Sequence, residues 1–124
     1  MPMFIRFVVG GDAEDHRQLT GLVTEARLLH NRGVLTATEE AQLEAVYVWL
    51  SSELPVPPFS SAGWSKDAVA WFKDSATEPI KQFRILAELL RQHDCGVRML
   101  RTGNPGKVLY EDEFQVVVEE WRRL

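Results

Sequence analysis

Residues 96–121 read GVRMLRTGNPGKVLYEDEFQVVVEEW and decide how the last third of the chain folds. Three runs of apolar, β-branched or aromatic residues are separated by two turn signals, the segment 102–106 and the pair Asp112-Glu113. Short apolar runs bounded by turn residues are typical of antiparallel strands. The stretch therefore predicts a three-stranded meander, with strands at 97–101, 107–111 and 114–121.

The first half of the chain predicts one strand and two helices. Residues 3–9 alternate in the manner of a strand, and both faces are fairly apolar, so a central place in the sheet is expected. Apolar residues at three- and four-residue steps predict helices at about 13–31 and 36–53. Thr36 and Glu39 fit a capping box at the start of the second helix.

The middle of the chain begins with a proline-rich connector over residues 54–63. Closely spaced prolines favour extended polyproline geometry, so a rigid crossover is expected, and a ligand for a proline-recognising domain is the alternative. Residues 68–73 fit either a short strand or a helical turn. A strand is favoured because Ser75 and Glu78 resemble a second capping box, which would open a helix over 76–93.

The order of these elements predicts an α+β fold with two layers. The N-terminal strand and the C-terminal three-stranded meander would form a mostly antiparallel sheet, with about three helices packed on one face. The chain has 124 residues, which fits a single globular domain over 1–124.

Composition excludes several classes of partner. The net charge is −4, with 4 Lys/Arg against 8 Asp/Glu in residues 1–62 and 10 against 10 in residues 63–124. An acidic chain without a basic stripe is not expected to bind nucleic acid. No apolar run is long enough to span a bilayer, so no membrane partner is expected. Cys95 is the single cysteine, which excludes an internal disulfide and suggests a cytoplasmic location.

The loop 101–107 is the first candidate for a binding site. Its glycines can bring backbone amides close to a ligand, and Arg98, Arg101 and Lys107 could supply positive charge to a phosphate or carboxylate. Glu111 follows on the next predicted strand and completes the candidate set. The spacing is not that of a Walker A motif. In the alternative interpretation the Gly and Pro residues only set the turn.

Aromatic residues supply the second candidate site. The chain has 4 tryptophans, which is many for its length. Trp64 lies in the connector, and Trp71 and Phe72 lie beside it, where they could line a groove. Exposed aromatic side chains commonly anchor protein interfaces, whereas burial in the core is the alternative for each of them.

No catalytic, metal or cofactor site is predicted. The 3 histidines have no ligand spacing, and the serines lack a nucleophile elbow. The acidic run 111–113 could hold a metal, but consecutive strand residues point to alternate faces, so a solvated hairpin turn is the favoured interpretation. The sequence therefore favours a protein that is not an enzyme.

Four blocks of the sequence carry a resemblance: 54–58 (LPVPP), 70–76 (AWFKDSA), 97–102 (VRMLRT) and 105–112 (PGKVLYED). In this order they resemble blocks in a family of small bacterial hypothetical proteins over about residues 3–120. That family has no assigned activity, so the resemblance implies a bacterial, cytoplasmic, single-domain protein and identifies no functional residue.

Three functions are compatible with these observations. The first is a protein-interaction or self-associating module, with another protein or a second copy as partner. The second is a small-molecule or phosphate-binding protein, or a weak enzyme, built on Arg98, Arg101 and Lys107. The third is an inhibitor that mimics an acidic surface, for which a net charge of −4 is modest.

Overall fold

The structure is a computed structural model that describes residues 2–10, 21–59, 61–64 and 68–119. Its elements in chain order are β1 (Phe4–Val9), α1 (Leu22–Arg32), α2 (Ala37–Glu53), β2 (Val69–Lys73), α3 (Thr77–Gln92), β3 (Val97–Thr102), β4 (Lys107–Glu111) and β5 (Gln115–Glu119). In the described residues three helices pack against an antiparallel five-stranded sheet, which confirms the predicted α+β class.

The strands lie in the order β3-β1-β2-β5-β4. The predicted central position of β1 is confirmed, but the predicted meander is wrong, because β3 pairs with β1 along its whole length and only β4 and β5 form a hairpin. Turn residues predict where a chain reverses, but not which strand it joins next. β1 has a neighbouring strand on each side, and its apolar side chains are covered on both faces of the sheet.

The sheet is curved. Only residues 103–106 separate β3 from β4, although these strands form the two edges. Flat strands would place the edges about 19 Å apart, whereas the link from Thr102 to Lys107 spans at most about 18 Å. The pairing of β1 with β2 is limited to Phe4 and Ile5, and β4 carries a register shift next to Leu109, as expected where a sheet bends.

Each face of the sheet carries an apolar cluster. On the helix side, side chains of β1 and β2 pack with all three helices around α3, on which α1 and α2 both pack. On the concave side, Trp71, Val116 and Val118 are buried. Three partly buried residues, Phe4, Val69 and Leu100, pack against them. Leu100 lies on β3, so its contact with this cluster fits the curvature.

The predicted element boundaries agree with the structure in most places. Residues 68–73 do contain a strand, and the capping box of Thr36 and Glu39 is present. The second capping box is wrong, because α3 begins after Ala76 without a side-chain cap. The predicted start of the first helix and Trp121 lie outside the described residues.

Candidate interaction surface

The four residues predicted to bind an anion lie on the two edge strands. Arg98 and Arg101 belong to β3, whereas Lys107 and Glu111 belong to β4 at the opposite edge. Arg101 is paired with Ile5 and shares its helix-covered face, while Arg98 lies on the concave face. The structure therefore does not bring these four side chains to one face or one edge of the sheet.

Two of these four residues contact other parts of the protein. The Arg98 guanidinium donates a hydrogen bond to the Gly10 carbonyl at 3.3 Å. The Glu111 carboxylate forms an ion pair with Lys73 at 2.5 Å, which ties β4 to β2 across β5. These contacts join neighbouring parts of the sheet. The four side chains do not converge on one place, so the anion site stays a prediction.

Trp71 and Phe72 are buried, with exposed fractions of 6% and 7%. As consecutive strand residues they point to opposite faces, so Phe72 enters the helix-side core and Trp71 the concave cluster. The Trp71 Nε1 atom is buried without an acceptor among the described residues. Neither ring is available to the surface in this structure, and Trp64 alone of the three predicted interface residues is partly exposed.

Trp64 forms part of an aromatic row that fastens the connector to β4. Its ring lies 5.7 Å from Phe59 in an edge-to-face arrangement and 6.2 Å from Tyr110. The Gln115 side chain donates a hydrogen bond to the Pro55 carbonyl at 2.8 Å, which fixes the start of the connector. The aromatic row and this hydrogen bond hold the connector against the sheet, so the connector is a packed crossover segment.

Asp112 organises the turn between β4 and β5. Its carboxylate accepts hydrogen bonds from the Phe114 amide at 2.8 Å and the Tyr110 hydroxyl at 2.8 Å. Burial opposes ionisation of Asp112, but these bonds and those from Gln115 outweigh it and lower its pKa. The hydrogen bond to Asp112 raises the pKa of Tyr110. The acidic run 111–113 is thus a hairpin turn held by one inward carboxylate.

The outer face of α2 leaves apolar side chains uncovered. Leu43 and Val46 point inward and are buried. The side chains on the opposite side of the helix, at 100° per residue, are Ala41, Ala45, Val48 and Ser52, all of them exposed. We call these four residues the outer face of α2. Val48 is 58% exposed, so this helix presents apolar groups to both the core and the solvent.

A shallow depression of about 350 Å³ lies along one side of this outer face. It is lined by Glu44, Tyr47, Val48, Ser51 and Ser52. The Tyr47 hydroxyl is buried and has no hydrogen-bond partner among the described residues. The Ser52 hydroxyl donates to the Val48 carbonyl at 2.9 Å, so it is satisfied within the helix. The depression therefore combines apolar walls with one carboxylate at its border.

One carboxylate borders the outer face of α2, that of Glu44 on the side of the depression. The opposite border is formed by Gln42 and Trp49, and Glu53 lies farther around the helix toward the core. The Glu44 carboxylate has no hydrogen bond or ion pair within the described part of the chain. Residues 33–64 contain no lysine or arginine. The Glu40 carboxylate, near the start of α2, is hydrogen-bonded to His30 Nδ1 at 2.7 Å.

The first turn of α2 is fixed to its neighbours by hydrogen bonds. The Thr36 amide donates to Glu39 Oε1 at 2.9 Å, and the Glu39 amide donates to Thr36 Oγ1 at 3.2 Å. Glu39 Oε2 lies 2.8 Å from His93 Nε2 at the end of α3. The hydrogen bond from the Thr36 amide is the main cause of the lowered pKa of Glu39. Burial raises this pKa, and the contact with His93 lowers it.

No group of three or more His, Cys, Asp or Glu side chains in the described residues could hold a metal ion. None of the described helices has the length and apolar character needed to cross a bilayer. Comparisons of the chain with protein-family models, curated proteins and solved structures found no match to any of them.

The outer face of α2 was not among the sites predicted from the sequence. The prediction used only the inward stripe of this helix, which includes Leu43 and Val46. The signal that could have identified the outer face is the second stripe, from Ala41 to Ser52 at steps of four, three and four residues. A surface helix of this kind usually carries charged residues at such positions.

Proposed function

We propose that this chain is a protein-binding module whose contact surface is the outer face of α2. The observation that carries the proposal is the 58% exposure of Val48 beside the depression, on a helix whose other side is already packed against the core. An exposed apolar patch with a polar border is typical of an interaction site.

A solvated helix face is the competing interpretation, and α3 shows what such a face looks like in this protein. The solvent side of α3 carries charged side chains at steps of three, four and three residues: Lys81, Arg84, Glu88 and Arg91. The corresponding positions of α2 carry Ala, Ala, Val and Ser. This difference favours a contact surface on α2, because charged side chains would otherwise be expected there.

Electrostatics favours a different protein over a second copy of this chain. In a pair of α2 helices from two copies of the chain, both contact surfaces would carry a Glu44 carboxylate. Residues 33–64 offer no lysine or arginine to compensate them. Like charges that face each other destabilise such a contact, whereas a partner of opposite charge stabilises it.

Site-specific photocrosslinking in cells that naturally produce the protein tests this proposal. A photoreactive phenylalanine analogue replaces Val48 in one variant and Val108 in a matched control. Val108 is 50% exposed on edge strand β4, so it offers similar accessibility on a different surface. We expect a discrete crosslinked protein at position 48 and none of that mass at position 108.

Two results would contradict the proposal. One is the absence of any discrete product at position 48 in the folded variant. The other is the same set of products at positions 48 and 108, which would indicate non-selective collision. A product of twice the monomer mass at position 48 alone would support a contact surface on α2 and identify the partner as a second copy.

A further inference from the structure

We infer that the partner presents a cationic amphipathic helix to the outer face of α2. This inference rests on the proposed function and specifies the chemistry of the partner. It follows from the shape of the outer face, from the charge on its border, and from the satisfied backbone of α2.

The shape of the outer face suits a second helix. Ala41, Ala45, Val48 and Ser52 are spaced by four, three and four residues, the spacing by which one helix packs along another. Their small side chains permit two helix axes to approach to about 8 Å. The face is about 17 Å long at 1.5 Å per residue, which is three helical turns. A partner helix of similar length can therefore cover it.

The charge at the border determines the sign of the partner. Glu44 borders the outer face beside the depression and forms no ion pair in the described residues. A helix with an apolar stripe, and with lysine or arginine side chains on the flank that faces Glu44, would place a cation against this carboxylate. The long stems of those side chains would also cover Val48 and the depression.

Other binding modes fit this surface less well. The backbone amides and carbonyls in the middle of α2 are bonded within the helix, so an extended peptide cannot add to them as it would to a strand edge. Phosphate backbones would be repelled by the Glu44 carboxylate. A cationic helix satisfies both the apolar and the charged groups at once.

A synthetic peptide provides a direct probe. The probe is a peptide of about 18 residues made of leucine and lysine, with the leucines on one helical face. A peptide with glutamate in place of lysine and a scrambled leucine–lysine peptide are the controls. Binding to the full chain is measured by isothermal titration calorimetry. We expect the amphipathic cationic peptide to bind at least about tenfold more tightly than either control.

Two substitutions locate the binding surface. Val48→Arg removes the central apolar contact and adds a repelling charge, so the affinity for the cationic peptide should fall by about tenfold or more. Val108→Arg makes the same chemical change on β4 and should alter the affinity by less than about twofold. Circular dichroism confirms that both variants remain folded.

The role of charge is tested by neutralising one carboxylate. Glu44→Gln should weaken binding and reduce its dependence on salt, because an ion pair with the peptide is lost. Glu78→Gln changes the net charge equally at an exposed position on α3 and should leave both quantities nearly unchanged.

The outcomes separate this inference from the proposed function. Equal binding of the cationic and anionic peptides, or equal effects of Val48→Arg and Val108→Arg, would overturn the cationic-helix inference. If crosslinking at position 48 still captures a protein, the contact surface stands and only the partner chemistry is wrong. If crosslinking also fails, the proposed function falls with it.

Discussion

Helices α2 and α3 lie against each other and have similar lengths, but their solvent sides differ in chemistry. On α3 the buried side is leucine-rich and the solvent side is charged. On α2 the buried side is also apolar, and the solvent side carries alanine, valine and serine. Both helices need their inner sides for folding. Only the solvent side of α3 carries the charged residues that are expected on a surface in contact with water alone.

This difference separates residues that stabilise the fold from residues that are available for binding. Substitutions on the inner side of α3 should therefore lower the free energy of unfolding, whereas substitutions on the outer side of α2 should affect binding alone. If both groups of substitutions lower the free energy of unfolding equally, this distinction between the two helices is wrong.

The largest expected effect is on α3. Leu90 is completely buried, so Leu90→Ala should lower the free energy of unfolding by about 2–5 kcal/mol through lost burial and a cavity. Val48→Ala on the outer face of α2 should change it by less than about 0.5 kcal/mol. Urea denaturation measures both. A loss of stability in Val48→Ala comparable to that in Leu90→Ala would contradict the comparison.

A smaller loss is expected at the start of α2. Thr36→Ala removes the hydroxyl that accepts a hydrogen bond from the Glu39 amide. This change should lower the free energy of unfolding by about 0.5–2 kcal/mol. Thr38→Ala, two residues later on an exposed helix position, is the matched control and should have little effect. Equal losses in the two variants would show that the cap does not stabilise α2.

The Glu39 carboxylate should make this end of α2 sensitive to acid. Its pKa in the folded protein is below the ordinary value of 4.5, so its contribution to stability is complete above that pH. The contribution is lost as the pH falls through the lowered pKa of the folded state. The stability difference between the wild type and Glu39→Gln should therefore shrink between pH 7 and pH 3.

Urea denaturation at several pH values measures that difference. Glu44→Gln is the control, because the Glu44 carboxylate is exposed and has no bond within the described chain. A difference between the wild type and Glu39→Gln that stays constant down to pH 3 would show that the hydrogen bonds of Glu39 do not favour its ionised form.

The smallest effect is expected at Tyr47. Its buried hydroxyl has no partner among the described residues, so Tyr47→Phe removes an unsatisfied group. The free energy of unfolding should stay the same or rise by up to about 1 kcal/mol, as measured by thermal or urea denaturation. A clear loss of stability would mean that this hydroxyl has a bond in solution.

The sequence predicted the elements of this fold better than their arrangement. The α+β class, the central β1 and the capping box of α2 follow from local patterns, and all three are present. The place of β3 beside β1 depends on a long-range pairing, which turn residues do not encode. The curvature that buries Trp71 follows from that pairing, so the sequence alone could not place this ring.

The candidate surface was missed for a related reason. Apolar residues at helical spacing predict a stripe that faces the core, which is correct for Leu43 and Val46. The second stripe on α2 has small side chains and lacks the large aromatic rings or positive charges that indicate a binding site in a sequence. Its meaning depends on which side of α2 packs against α3, and only the tertiary structure supplies that information.

A nuclear magnetic resonance titration of the isotope-labelled protein with the cationic amphipathic peptide tests most directly whether α2 is the contact surface. We expect chemical-shift changes concentrated in residues 41–53, with few changes in α3 and in the β4–β5 hairpin. Val48→Arg should abolish these changes at the same peptide concentration. Changes centred on another surface, or an unaltered pattern in Val48→Arg, would show that the outer face of α2 does not bind the peptide.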